Sequence, residues 1–570
     1  MTTSPNMPSS SDFDGNTHMV KAGPSWAPLL EQPAFTPTRK MRVVCVGAGF
    51  AGLILAHKVQ HELKLEDEID LVIYDRNPEV GGTWFENTYP GAGCDIPVHA
   101  YVFPFEGNPN WSSFYAGQAE ILAYMKRTAE KYDLCKHIQF NSEVERAIWD
   151  EDTAKWQITI RQGDTPKRED ADFFINSSGF LNKWKMPNIQ GLDRFKGKVL
   201  HTAKWDPDYR WEGKKVAVLG NGASGIQVVT AMQPKVEKLV NYVRQRTWIS
   251  INFLGDKTPE GVNFTYTEEQ KAIWREDPKA LMAYRKELEQ GLNAFFFAMC
   301  LDNPIQPVFE SLCKERMRAS LKDAPELQAQ IMPDFPAGCR RISPGDGYLE
   351  ALQQPNCRAC WDPIECITET GIRSTSGNEE DFDLIVCATG FDSSWLPQWE
   401  MVGRDGARLE DMWREDPRAF FVTQVENFPN YGMVNGPNPP ISHGSVLAQM
   451  SWTVDYLLRW VTRMNRHDMR TLCVKREAVD DYNEYAQEFL KRTVWSKECR
   501  ALYKNGRKLG RVTGVYPGSM MHFKNALEQV GGEHFDITWR SKNRFRCLGN
   551  GQAETDRNGT GDLAPYFPAE

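Results

Sequence analysis

The sequence predicts an α/β fold made of two Rossmann-like units, the second interrupted by a helical insertion. Three observations predict it. A short β-branched strand that runs into a Gly-rich turn and then into helical composition occurs twice, at 41–52 and at 215–225. Each copy is followed by a second apolar strand, Leu71–Tyr74 after the first and Val240–Val243 after the second. From about 265 to 331 the chain has a long stretch of helical composition instead.

Composition bounds the function classes. At 570 residues the chain is several times the usual ~150-residue domain, so more than one large core is expected. A net charge of −9 argues against nucleic acid or an anionic membrane surface as partner, since both require clustered positive charge. No apolar run approaches the ~18–20 residues of a membrane span, so no membrane insertion is expected. The 13 cysteines, an odd number, follow no framework spacing and no secretory signal precedes them; a reduced, cytoplasmic protein is the expectation. Cys357 and Cys360, with Cys366, have the spacing of half a zinc site, but without a second pair they read as buried thiols, and no metal is expected. Residues 1–40, rich in Ser, Pro, Thr and Asn, are expected to form a flexible or surface-laid arm, and 541–570 a tail.

The first copy of the repeat carries chemistry. Its strand ends in Gly47-Ala48-Gly49-Phe50-Ala51-Gly52, and a strand, Gly-rich turn and helix in that order cradle a pyrophosphate with backbone amides and a helix N-terminus. Its second strand ends in Asp75, about 20 residues past the last glycine, where an acid accepts hydrogen bonds from a ribose. The second copy, Gly220-Asn221-Gly222-Ala223-Ser224-Gly225 followed by Ile226 and Gln227, ends its second strand in Arg244-Gln245-Arg246-Thr247. Guanidinium and hydroxyl groups at that position favour a 2′-phosphate, so the second unit is expected to take NADPH and the first FAD.

Two longer patterns lie beside these loops. Gly81-Gly82-x-Trp84-x4-Tyr89-Pro90-Gly91-x3-Asp95 has the composition of an irregular loop that wraps a cofactor, and Phe195-x-Gly197-x3-His201-x3-Trp205-Asp206 lies between the two units. At every fixed position the two resemble the fingerprints of Baeyer–Villiger monooxygenases, the type I, class B flavoproteins that use FAD and NADPH, and the resemblance spans roughly 41–523. It implies FAD contacts at Thr83, Trp84, Phe85, Glu86, Asp95, Ile96, Tyr101 and Val144, beside the Gly-rich loop. It implies NADP contacts at Gly93, Cys94 and Asp95, at Asn221 through Gln227, and at Arg246, Thr247 and Arg340. It further implies a catalytic Arg341 near Asp95, and an interdomain linker at His201, Trp205 and Asp206. Trp205 discriminates, because relatives that oxidise nitrogen or sulfur usually carry Tyr or Phe there.

The implied reaction inserts one atom of O2 beside the carbonyl of a small ketone through a flavin peroxide, giving an ester or lactone. A permanent cation must hold the anionic oxygen; a guanidinium stays charged, and Asp95 would orient it. His201 has no acid or second ligand at metal spacing and reads as part of a hinge. Oxidation of sulfur or nitrogen, and a flavoprotein that keeps FAD for stability alone, are the other readings.

The expected domains are an FAD-binding part at 41–185, an NADPH-binding part at 186–385, and a second FAD-binding part with pocket loops at 386–540. Ile385–Asp392 resembles the re-entry into the FAD domain, and Asn435-Gly436-Pro437-Asn438 the turn beneath the flavin. Within the insertion, Thr267-Glu268-Glu269-Gln270 is a capping-box pattern, and Phe295-Phe296-Phe297 is expected in the core. Leu502 stands where relatives usually carry Trp, and Asn176-Ser177-Ser178-Gly179 where they commonly carry Ala-Thr-Gly.

Overall fold

Residues 26–567, apart from 28, 559 and 560, are described by a computed structural model; residues 1–25 of the expected arm and 568–570 of the tail lie outside the described residues. The β-branched runs become strands buried on both faces, as parallel sheets require. β1 (Met41–Val46), β2 (Ile69–Tyr74), β3 (Ile138–Gln139) and β4 (Phe173–Asn176) lie in one sheet. β5 (Lys198–His201), β6 (Lys215–Leu219), β7 (Lys238–Tyr242), β8 (Cys357–Cys360) and β9 (Leu384–Cys387) form a second. β10 (Tyr431–Met433) rejoins the first. The strand orders are β10-β4-β1-β2-β3 and β8-β7-β6-β9-β5, and all neighbours run parallel.

In each sheet the central strand feeds a Gly-rich loop and a helix, α1 (Phe50–His57) after β1 and α2 (Ala223–Met232) after β6. The two loops close in the same way. A Cβ on Gly52 would stand 2.1 Å from the Gly47 carbonyl oxygen, and one on Gly225 2.3 Å from that of Gly220. The helix therefore sits on its own loop at a distance that only hydrogen permits.

The expected boundary at 385 falls inside β9. Because β9 pairs with β5 and β6, Leu384–Cys387 belong to the second sheet; after the turn that follows, the chain rejoins the first unit at Glu400–Val402, which pairs with Ser142–Asp150, and its first sheet at β10, which pairs with β4. A four-stranded sheet of Glu400–Val402, Ser142–Asp150, Lys155–Gln162 and Thr165–Ala171 covers one face of the first sheet, with Trp149, Trp156, Trp399 and Trp413 buried against Val44 and Phe174. The other face packs against α1 and a long amphipathic helix at Val446–Arg466.

The insertion forms α3 (Glu268–Glu276), α4 (Pro278–Ala294), α5 (Ile305–Ser320) and α6 (Pro325–Ile331). Both bonds of the capping box are made: the Gln270 amide donates to Thr267 Oγ1 at 3.2 Å, and the Thr267 amide to Gln270 Oε1 at 2.9 Å. Leu288 and Leu292 of α4 join the apolar core of the first unit, and Phe309, Cys313 and Met317 of α5 that of the second. The insertion thus packs on both units. Phe296 is buried and Phe295 half-buried, whereas Phe297 is exposed.

Cys357 and Cys360 lie three residues apart on β8, so they face opposite sides of the sheet, the first among Val216 and Leu239, the second beside Tyr242. They cannot share a metal ion. Cys339 and Cys499, 160 residues apart in the chain, are bridged, with Cα atoms 6.2 Å apart. That corrects the expectation of a wholly reduced protein, since only the fold brings the two together. The described end of the arm is laid on the surface: the Ala34 and Phe35 amides donate to the carbonyls of Gln552 and Cys547, and Arg39 pairs with Asp172 at 2.6 Å. Among the described residues no helix is long and apolar enough to cross a membrane.

The loop contact generates a prediction. Gly52→Ala forces the first loop open, so the purified protein should lose most of its bound flavin absorbance and about 1–3 kcal/mol of stability, read from a thermal melt.

Candidate active site

A cleft of about 1380 Å³ runs past the C-terminal ends of β1 and β6, where both Gly-rich loops open. At its first end Gly47, Gly49, Phe50 and Ala51 form the floor. Asp75 Oδ2 accepts the Ala48 amide at 2.6 Å and Oδ1 the Asn77 amide at 2.8 Å, which holds the carboxylate at the wall. Burial raises its pKa, against those two amides. Thr83, Trp84, Glu86, Asp95, Ile96, Tyr101 and Val144 also face the cleft. Glu86 pairs with Arg76 at 2.6 Å, and the Trp84 indole donates to the Tyr101 hydroxyl at 3.3 Å. Gly52 and Phe85 do not reach the wall; Phe85 packs against Gly81. Asn435 does reach it, and its Oδ1 is buried without a partner. An unpaired acceptor, a ribose-seeking carboxylate and a glycine cradle together fit FAD.

At the second end stand Asn221, Gly222, Ala223, Ser224, Gln227, Arg244, Gln245, Thr247 and Arg340. Gly225 and Ile226 lie behind them. Arg340 donates to the Arg246 carbonyl at 2.5 Å, and its pKa is lowered by burial and by the neighbouring Arg244 cation. Neither Arg244 nor Arg340 has an ion-pair partner among the described residues. Two adjacent cations without a carboxylate fit the 2′-phosphate of NADP. Arg246 is not on the wall and lends this site only its carbonyl; Arg244 faces the cleft in its place. The alternation of side chains on an extended segment puts 244 and 246 on one side only when it is regular, and here the chain leaves β7 two residues earlier.

Between the two ends Arg341 Nη2 lies 2.6 Å from Asp95 Oδ2. The Asp95 charge raises the Arg341 pKa above its ordinary value, so the guanidinium stays charged; 45% of its side chain is exposed, and it lines the cleft. Asp95 is held from both units. The Cys94 amide donates to Ala116, and Gln227 Nε2 of α2 donates to the Gly93 carbonyl at 3.0 Å while its Oε1 accepts the Tyr89 hydroxyl at 2.7 Å. A Cβ on Gly91, at φ +82°, would stand 2.6 Å from the Gln227 carbonyl oxygen, so α2 lies directly on the loop. Just after Asp95, His99 is fully buried in a box of Tyr266, Trp274 and Tyr284, with ring centroids 4.7–5.3 Å away, which ties the loop to α3 and α4. Burial drives its pKa down to about 3, so the ring is neutral.

Arg500, Ala501, Leu502 and Tyr503 also line the cleft, as do Ile441, Val446 and Met450. Sequence reasoning gave Tyr503 no role; the departure at Leu502 next to it was the available signal. Burial pushes the Tyr503 phenol up to about 12, with Arg341 acting in the opposite direction, so it stays protonated.

His201, Trp205 and Asp206 stand away from the cleft. His201 is buried at the end of β5, stacked on Trp184 with centroids 4.9 Å apart; Nδ1 accepts the Ala203 amide at 3.1 Å and Nε2 meets Thr389 Oγ1 at 3.3 Å. Burial lowers its pKa. Asp206 pairs with Lys198 at 2.6 Å. The histidine therefore fastens the crossing between the units to the turn after β9.

Known proteins resemble this chain in sequence and in fold. The flavin-binding monooxygenase-like family matches residues 40–299. The FAD-binding monooxygenase tazF of Aspergillus terreus is 48% identical over 95% of this chain and 97% of its own length. A Baeyer–Villiger monooxygenase of Streptomyces coelicolor is 34% identical over 87% of this chain and 92% of its own. The crystal structure of cyclohexanone monooxygenase from Rhodococcus sp. Phi1 bound to NADP+ superposes with a TM-score of 0.76 at 26% identity, covering 88% of this chain and 100% of that one.

The paired cations generate a prediction. Arg244→Ala should raise the KM for NADPH at least tenfold and leave that for NADH nearly unchanged, measured by flavin reduction with each nucleotide.

Proposed function

The chain belongs to the FAD-binding, Baeyer–Villiger-like flavoprotein monooxygenases, and from that premise we propose that it inserts one oxygen atom of O2 beside the carbonyl of a ketone to give an ester or lactone. It is an NADPH-dependent flavoprotein monooxygenase. The observation that carries the finer reading is the Asp95–Arg341 pair, set between the two nucleotide ends of one cleft. When bound, NADPH supplies a hydride and FAD the reduced flavin that activates dioxygen.

The side chains then have distinct tasks. Attack on a ketone carbonyl requires an anionic oxygen nucleophile and passes to a second oxyanion on the former carbonyl. Arg341, charged and carrying several donors, holds both. Asp95 fixes the guanidinium and keeps its charge. Tyr503, protonated, offers a donor near Arg341, and the apolar surfaces of Ile441, Val446 and Met450 exclude water around the substrate. Arg244 and Arg340 anchor the nicotinamide nucleotide by its far phosphate, and Asp75 the flavin nucleotide by its ribose. His201 and Trp205 act at a distance, securing the crossing about which the two halves shift between flavin reduction and oxygen transfer.

Three measurements test this reading. Incubation of the holoenzyme and NADPH with cyclic, linear and aryl ketones and with a sulfide should give an ester or lactone; a sulfoxide alone would assign the chain to heteroatom oxidation. Arg341→Ala should cut product formation about 10²–10³-fold, roughly 3–4 kcal/mol, with FAD content retained. His201→Ala should lower the ratio of product to NADPH consumed; an unchanged ratio and unchanged flavin reduction would remove the hinge role.

A further inference from the structure

Behind the cleft wall lies a buried cluster that the reaction does not use. Cys339 and Cys499 form a disulfide, with 0% and 3% of their surfaces exposed. Cys339 directly precedes Arg340 and Arg341, and Cys499 directly precedes Arg500–Tyr503; both segments line the cleft. One covalent bond thus staples the segment bearing the arginine to the segment bearing Tyr503.

The third member is Lys504, 1% exposed. Its Nζ lies 3.5 Å from Cys499 Sγ and 3.8 Å from Cys339 Sγ, and donates to the Lys497 carbonyl. It makes no ion pair within the cluster; the adjacent Glu498 pairs with Lys508 and acts on the ammonium through its charge alone. Burying an ammonium without a contacting counter-ion is costly, and burial, opposed by the Glu498 charge, lowers the Lys504 pKa to about 8. Opening the disulfide creates the missing counter-ion, because a thiolate then faces the ammonium. The sulfurs lie one residue behind residues that line the cleft.

We propose that Cys339, Cys499 and Lys504 form a thiol-oxidation site that takes hydroperoxides, hydrogen peroxide being the simplest, and closes the bridge behind Arg341. In the dithiol state the Lys504 ammonium stabilises the nearer sulfur, Cys499, as a thiolate, the nucleophilic form. That sulfur attacks one peroxide oxygen; the S–O bond forms, the O–O bond breaks, and the departing hydroxide takes up the proton that the Cys499 thiol gave up to solvent, becoming water. Cys339 sulfur then attacks the Cys499 sulfenic sulfur, the S–S bond forms, and the second hydroxide leaves with the Cys339 proton as water. Two thiols lose two electrons and two protons, and one peroxide becomes two waters. The bridge fixes the separation of Arg341 from Tyr503, and the dithiol releases it.

The test uses the full-length holoenzyme and does not depend on the ketone reaction. The protein is reduced with a phosphine, freed of it and exposed to hydrogen peroxide; differential alkylation with peptide mass spectrometry follows the 339–499 bridge, with buried Cys45 and Cys387 as controls. The bridge should form at least ten times faster than either control is oxidised, and Lys504→Met should slow it at least tenfold with FAD content unchanged. Free thiols at 339 and 499 after peroxide that oxidises the exposed Cys135, or bridge formation at the wild-type rate in Lys504→Met, would overturn the proposal. Should that variant fail to accumulate, the wild-type bridging rate against Cys45 and Cys387 decides alone.

Discussion

The ion pair between Asp95 and Arg341 sets the terms for the rest of the molecule. A carboxylate and a guanidinium drawn from segments some 250 residues apart meet at 2.6 Å only if the two nucleotide units hold a defined relation to each other. Much of the surrounding architecture serves that relation. Gln227 reaches from α2 to the loop that carries Asp95, Gly91 lets the helix lie on that loop, and the aromatic box around His99 anchors the same loop to the insertion. The pair is also where the charge requirements of the two ends meet. Toward one nucleotide the wall offers a carboxylate and an unpaired amide oxygen, toward the other two unpaired guanidinium groups, and the neutral total of Asp95 and Arg341 separates them.

Much of the fold could be read from the chain because its signals are local. A β-branched run, three glycines at fixed spacing and a following helix are fixed by contacts within a dozen residues, as the 2.1 Å and 2.3 Å approaches at Gly52 and Gly225 show. The Thr267–Gln270 capping box was legible for the same reason. What escaped the sequence is long-range. The run Leu384–Cys387 announces a strand and says nothing about its sheet, so its place beside β5 and β6 emerges only from the pairing. The bridge between Cys339 and Cys499 was hidden by a separation of 160 residues.

The site shows the same division at finer grain. Asp75, Asp95, Arg340 and Arg341 line the cleft. Arg246 does not, because two residues of irregular chain after β7 are enough to exchange which side chain points inward, and Phe85, on the helical turn Thr83–Glu86, packs against Gly81 instead. Asn435 and Tyr503 complete the wall from the last third of the chain, where no periodic pattern marks them.

The late return of β10 to the first sheet carries a consequence for how the protein is made. A ribosome delivers the chain from its N-terminus, and domains generally fold as units as they emerge. Here the second sheet, closed by β9, has all its strands before the first one does. The first sheet waits with an open edge at β4 until residues 431–433 appear, and Asn435 arrives just behind them. The nascent chain therefore completes the sheet of its nicotinamide half before that of its flavin half, although the core of the former still takes in residues as late as Val515.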